Sequence, residues 1–374
     1  MKVKKQYFSY GAPPEEELLE SGLKLGPITI AYETLGELNQ NKDNAILICH
    51  AFTGDSHVAG QYDANPSDTS PGWWDFMVGS GCGIDTDRYF VICCNILGSC
   101  MGSTGPATLN PATNTPYGLD FPMVTIGDMV NSQKRLLDFL GIRKLRSVIG
   151  GSVGGMQVLE WCIRYPNMVG SAIPIATTMR HSALAIAFNE VARQAIMADP
   201  DWKKGNYYND SGPDHGLAVA RMIGHVTYLS DEAMRRKFGR QLQDKEDFSF
   251  DFGGDFQVES YLRHQGSKFV KRFDANSVLY ITKASDYFDL KSVENSEESL
   301  NNLSTNQTKF LVISYTSDWL YPTYQARELV QALKRSGQDV SFCEIEADCG
   351  HDAFLIEDMR LTNLIKGFLN GLTF

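Results

Sequence analysis

Nowhere in this 374-residue chain do about 18 apolar residues follow one another, so no membrane-spanning helix is expected. Its eight cysteines form no CxxC pair and no zinc-type Cys/His spacing, so no metal is expected either. Lysine and arginine are nowhere clustered, and 34 of them against 45 Asp and Glu leave a formal charge of −11. A chain of that sign has no footprint for a phosphate backbone, which excludes nucleic acid as a partner. No repeat of fixed period is visible. The opening MKVKKQYFSYGAPPEEELL has basic residues but no apolar segment behind them, which argues against an export signal. Several cysteines stand inside apolar runs such as AILICH and FVICCN, where a thiol behaves as a small hydrophobe. A cytoplasmic protein with reduced thiols is the expectation.

What remains is an ordinary soluble composition, 43% hydrophobic and 21% charged. The length exceeds the usual domain of roughly 100 to 200 residues. Strand-like runs recur as ITIAYETLG, NAILICH, YFVICCNILG, LRSVIGG, SAIPIAT, KFLVISYT and DVSFCEIEA. The middle ones are almost continuously apolar, as strands covered on both faces of a parallel sheet must be. Helical patterns alternate with them in GDMVNSQKRLLDFLG, GGMQVLEWCIRYP and YQARELVQALKRSG, which makes the class α/β. From about Arg180 to Asn306 the strands stop and helix-like stretches take over. The reading is one core, 1–179 with 307–374, interrupted by a helical cap at 180–306.

One serine is surrounded by glycines in SVIGGSVGGMQVLEW. Gly150, Ser152 and Gly154 satisfy GxSxG between a strand and a helix, the context in which such a turn lifts a nucleophilic hydroxyl above the sheet. No lysine follows to make it a phosphate loop. Serine needs a base, and the base a carboxylate, in the order Ser, acid, His. His351 follows the last strand in DCGHDAFL, whereas His181, His215, His225 and His264 fall in the insertion, where surface or capping roles are expected. Asp318 follows KFLVISYT in TSDWLYP and is the acid; Asp286 and Asp289 belong to the insertion. The oxyanion would be held by the backbone N–H of Val153 and of Phe52 in HAFTGD, with Thr53 the near alternative and His50 a brace for that loop.

The longer motifs go further. AYETLGELN, CHAFTGDSHVAG, PGWWDFMVG, ARQAIMADPDW, GLAVARMIGHVTYLS, SDWLYP and CGHDAFL run from about Ile28 to the final helix. They resemble the homoserine O-acyltransferases, a branch of the α/β-hydrolase superfamily. Two departures are Val153, where methionine is expected, and Phe52, where leucine is commoner; both act through backbone N–H groups. The resemblance implies an α/β-hydrolase fold, a mostly parallel central sheet flanked by helices, with the insertion as lid. It implies ping-pong transfer from acetyl-CoA through acyl-Ser152 to the side-chain hydroxyl of L-homoserine, as in methionine biosynthesis, with no cofactor. It also carries Arg221, Tyr228 and Asp352 into substrate binding. Arg221 lies in apolar company and its fork suits a carboxylate, although an ion pair with a helix acid would also satisfy it. Tyr228, two turns on, can share its cavity. Asp352 suits an ammonium, or the N-cap of AFLIEDMRL, or both. Homodimers are common in such a family.

Two rivals share the mechanism, a succinyl donor and an L-serine acceptor. A succinyl group would need a cation at the acyl end, and HAFTGDSHVAG has none. From other classes, an esterase and a catalytically silent binding protein use the same fold.

Overall fold

The computed structural model describes residues 1–62, 71–290 and 308–372. Eight strands make the central sheet: β1 (Gln6–Tyr10), β2 (Ile28–Leu35), β3 (Ala45–Cys49), β4 (Phe90–Cys94), β5 (Ser147–Gly151), β6 (Ser171–Ile175), β7 (Lys309–Tyr315) and β8 (Asp339–Ile345). Their order is β8-β7-β6-β5-β3-β4-β2-β1. All pairs from β8 to β4 are parallel, and the β4–β2 and β2–β1 pairs are antiparallel. The seven runs read as strands are all here. The eighth, β1, lies in the opening stretch, read only for its basic residues; as an edge strand it leaves Tyr7 and Ser9 exposed, which blurs its pattern.

Period-two alternation explains the two-sided core. In β3, Ala45, Leu47 and Cys49 face one apolar cluster while Ile46 and Ile48 face the other. The first cluster is closed by α1 (Ile126–Phe139), through Met129 and Leu136, and by α2 (Val153–Arg164), through Met156 and Trp161. The final helix closes the second with Leu361, Ile365 and Leu369. Each such side chain removed from water stabilises the fold by roughly 1.5–3 kcal/mol.

Between β6 and β7 the described residues hold helices and no strand: α3 (Ala183–Met197), α4 (Asp214–Tyr228), α5 (Asp231–Lys237), α6 (Gln257–Val270) and α7 (Ala275–Tyr287). The two ends of the described part of this region lie side by side. Arg180 and Asp289 form an antiparallel bridge, and the Leu290 N–H donates to the Met179 carbonyl at 2.9 Å. Two helices follow β7 and β8, α8 (Thr323–Arg335) and α9 (Met359–Gly371). No helix among the described residues is long and apolar enough to cross a membrane.

Candidate active site

Every loop that reaches the site leaves the carboxyl end of a parallel strand. Ser152 stands between β5 and α2 with φ 58° and ψ −124°, a left-handed backbone that an L-residue adopts only under constraint. The constraint is visible. The Ser152 N–H donates to the Ile175 carbonyl at 2.9 Å, and the Thr177 hydroxyl donates to the Ser152 carbonyl at 2.8 Å. The flanking glycines allow the approach: a Cβ on Gly154 would lie 2.1 Å from the Cys49 carbonyl oxygen, and one on Gly150 2.5 Å from that of Gly154.

Asp318 follows β7, and His351 opens a 3-10 turn, His351–Leu355, after β8. His351 Nε2 lies 2.9 Å from Ser152 Oγ, and its Nδ1 lies 2.8 Å from Asp318 Oδ2. The other Asp318 oxygen accepts from the backbone N–H groups of Leu320 and Tyr321, at 3.0 and 2.9 Å. An ionised carboxylate only accepts, so Nδ1 carries the hydrogen and Nε2 is left to take the serine proton. Burial drives the imidazole toward its neutral form, but the charge and hydrogen bond of Asp318 outweigh it and hold the ring above its ordinary range.

The loop after β3 is braced by His50, fully buried. Its Nδ1 lies 2.8 Å from the Ala51 carbonyl oxygen, and its Nε2 accepts from the Ile96 N–H at 3.1 Å. The Arg272 guanidinium donates to the Thr53 carbonyl at 2.8 Å. Among the described residues the amides of Phe52 and Val153 donate to no protein group, and both residues line the cavity that holds Ser152. Val153 sits at the first turn of α2, where the helix dipole favours negative charge.

Helices α3, α4, α6 and α7 roof this cavity. Arg221 enters it from α4; Nη1 reaches Thr53 Oγ1 at 3.4 Å, and the guanidinium lies 4.8 Å from the Phe269 ring centre and 5.7 Å from that of Tyr228. Among the described residues no carboxylate is paired with it and its buried Nε has no partner. The ion pair with a helix acid is therefore not formed. Tyr228 lines the same cavity, its ring centre 6.1 Å from that of His351. Asp352 stands next to His351 in the 3-10 turn. Its carboxyl makes no hydrogen bond among the described residues, and burial pushes it up against the pull of His351 and Arg221. Nor does Asp352 cap the last helix: that helix begins later, and Asp358 accepts from the Arg360 N–H at 2.7 Å.

Two histidines of the insertion have buried side chains, where surface or capping roles are expected. His225 bonds Tyr261 Oη at 3.0 Å. His181 lines the cavity, its Nε2 2.6 Å from Tyr321 Oη. Tyr321 went unassigned although it lies three residues beyond Asp318 in TSDWLYP; a polar aromatic in the turn that carries the acid was the available signal.

The profile of the α/β-hydrolase fold family matches residues 44–358. A homoserine O-acetyltransferase of Desulfotalea psychrophila (strain LSv54 / DSM 12343) is 69% identical over 99% of this chain and 95% of its own length. The crystal structure of a homoserine O-acetyltransferase from Bacillus anthracis superposes with TM-score 0.90 at 31% identity, covering 99% of this chain and 98% of that one. That of esterase E22 does so with TM-score 0.89 at 33% identity, covering 98% and 100%.

Proposed function

Because the chain belongs to the α/β-hydrolase fold family and, within it, to the homoserine O-acetyltransferases, we propose that it moves an acetyl group from acetyl-CoA to the side-chain hydroxyl of L-homoserine. In the first half-reaction His351 takes the Ser152 proton as Oγ attacks the thioester carbonyl, and the CoA thiolate leaves with that proton. The oxyanion is held by the Phe52 and Val153 N–H groups, each worth roughly a hundredfold or more in rate. In the second, His351 takes the homoserine proton, the hydroxyl attacks acetyl-Ser152, and Oγ recovers the proton from His351. Asp318 keeps the ring oriented throughout. Arg221 receives the amino acid's carboxylate and Asp352 the ammonium, with Tyr228 shaping the pocket between them.

The observation that carries this reading is Arg221, a guanidinium that no carboxylate of the described residues pairs with, on the cavity that holds Ser152. It also supports acetyl over succinyl. Among the described residues lining the cavity, Arg221 is the only lysine or arginine, and the acceptor's carboxylate already claims it. The insertion, helical where it is described, acts as a cap that keeps water from the acyl-enzyme. Exposed Leu184, Val191, Val219 and Val226 on its helices support a homodimer, and eight free thiols support a reducing, cytoplasmic setting.

Hydrolysis is the second reading, favoured by the 33% identity to esterase E22. Thiol release from acetyl-CoA and succinyl-CoA, each with and without L-homoserine or L-serine, separates the two. Release should need acetyl-CoA together with L-homoserine beyond the first turnover. Steady release at the same rate without an acceptor would make the protein a hydrolase.

A further inference from the structure

A second run of buried side chains leads from the cavity into the insertion, and the triad makes no use of it. Tyr321, 4% exposed, lines the cavity with Ser152, and its ring stands edge-on to that of His351 with centres 5.1 Å apart. Behind it come His181 Nε2 at 2.6 Å and then, 3.3 Å from His181 Nδ1, Asp286 Oδ1. Asp286 also accepts from Asn189 Nδ2 at 2.7 Å and is ion-paired with Arg193 at 2.7 Å.

This run fixes which way the phenol points its hydrogen. Burial opposes ionisation of Asp286, but the hydrogen bonds from His181 and Asn189 and the charge of Arg193 hold its carboxyl below the usual range. A carboxylate accepts only, so in the tautomer that Asp286 selects His181 Nδ1 carries the hydrogen and Nε2 accepts. The 2.6 Å contact then requires the phenol as donor. Burial pushes that phenol well above its ordinary range, so the hydrogen stays on oxygen. Tyr321 therefore turns a lone pair, and no hydrogen, toward the cavity.

A lone pair repels an oxyanion, so Tyr321 is no part of the oxyanion hole. The attacking hydroxyl has one hydrogen, which His351 takes. Of the groups on the acceptor, only the ammonium has N–H bonds left to give. We propose that Tyr321 is a specificity residue that accepts a hydrogen bond from the acceptor's ammonium, and that His181 and Asp286 are positioning residues that hold its hydrogen away from the cavity. This rests on the amino-acid acceptor read above. Asp352 supplies the balancing charge and Tyr321 the direction; three N–H bonds accommodate both.

The test pairs Tyr321→Phe with two acceptors, L-homoserine and 4-hydroxybutyrate, which differ in the ammonium alone. The variant should raise KM for L-homoserine about tenfold or more, the effect of losing a bond to a charged group. The burst of thiol from acetyl-CoA alone should stay within about twofold, because that step involves no ammonium. With 4-hydroxybutyrate the variant and the unaltered enzyme should perform alike. His181→Phe should raise the same KM and add nothing to Tyr321→Phe in the double variant. Burst amplitude counts competent sites, so partial misfolding cannot imitate these ratios. Equal losses on both acceptors, or a lost burst with KM unchanged, would overturn the proposal. An unaltered enzyme that makes no ester from L-homoserine would overturn the functional reading with it.

Discussion

Burial alone would pull the His351 imidazole below 6.5, and Asp318 lifts it above by charge and by a 2.8 Å hydrogen bond. The base must be neutral to take the serine proton, so acylation should fall as pH drops through a midpoint above 6.5. Asp318→Asn removes the lifting cause and leaves the burial: the midpoint should move to lower pH while the plateau falls about 10³–10⁴-fold. Stability runs the opposite way with pH. A pKa raised in the folded state means that the pair's contribution is full below 6.5 and is lost as pH rises through the raised value. The stability gap between the two proteins, followed by denaturant unfolding, should therefore narrow with rising pH across that window. Ser152, Asp318 and His351 were legible because each ends or follows an apolar run, and strand ends in one sheet share an edge. Tyr321 and His181 were not: 140 positions separate them, and no periodicity records a meeting across space.

Elements differ in how much a single methyl group would disturb them. Gly154→Ala sets a Cβ 2.1 Å from the Cys49 carbonyl oxygen, backbone against backbone, and should cost about 2–3 kcal/mol and shrink the acylation burst. Gly367, exposed within α9, has nothing within 4 Å of its would-be Cβ, so Gly367→Ala should stabilise by about 0.5–1 kcal/mol. Thermal unfolding of the two variants side by side checks both signs. Central strands could be read directly, since burial on two faces leaves only apolar residues. The edge strand β1 could not, because Tyr7 is 60% exposed and an aromatic facing water mimics a core position. The start of α9 was misplaced for a related reason: Asp352 and Asp358 are equally good caps by type, and only the intervening 3-10 turn selects the second.

For the whole molecule, eight free thiols and a negative surface describe a chain that folds without crosslinks. Cys49, Cys93, Cys94 and Cys162 are buried, and burial raises all four thiols, so no more than four of the eight should react promptly with a thiol reagent in the native state. All eight should react in denaturant, with or without reductant; fewer would reveal a disulfide. The α/β class, and the helices that fill the described part of the insertion, were both visible as a change of rhythm in the chain. How its helices converge over Ser152 was not, because roofing depends on packing between faces that no local pattern ties together. The stem where Arg180 meets Asp289 has a lasting consequence. A stretch whose described ends lie side by side can be lengthened, traded or recast without re-threading a strand, so descendants of this chain can change which molecule they accept by rebuilding the canopy while the proton relay beneath it stays put.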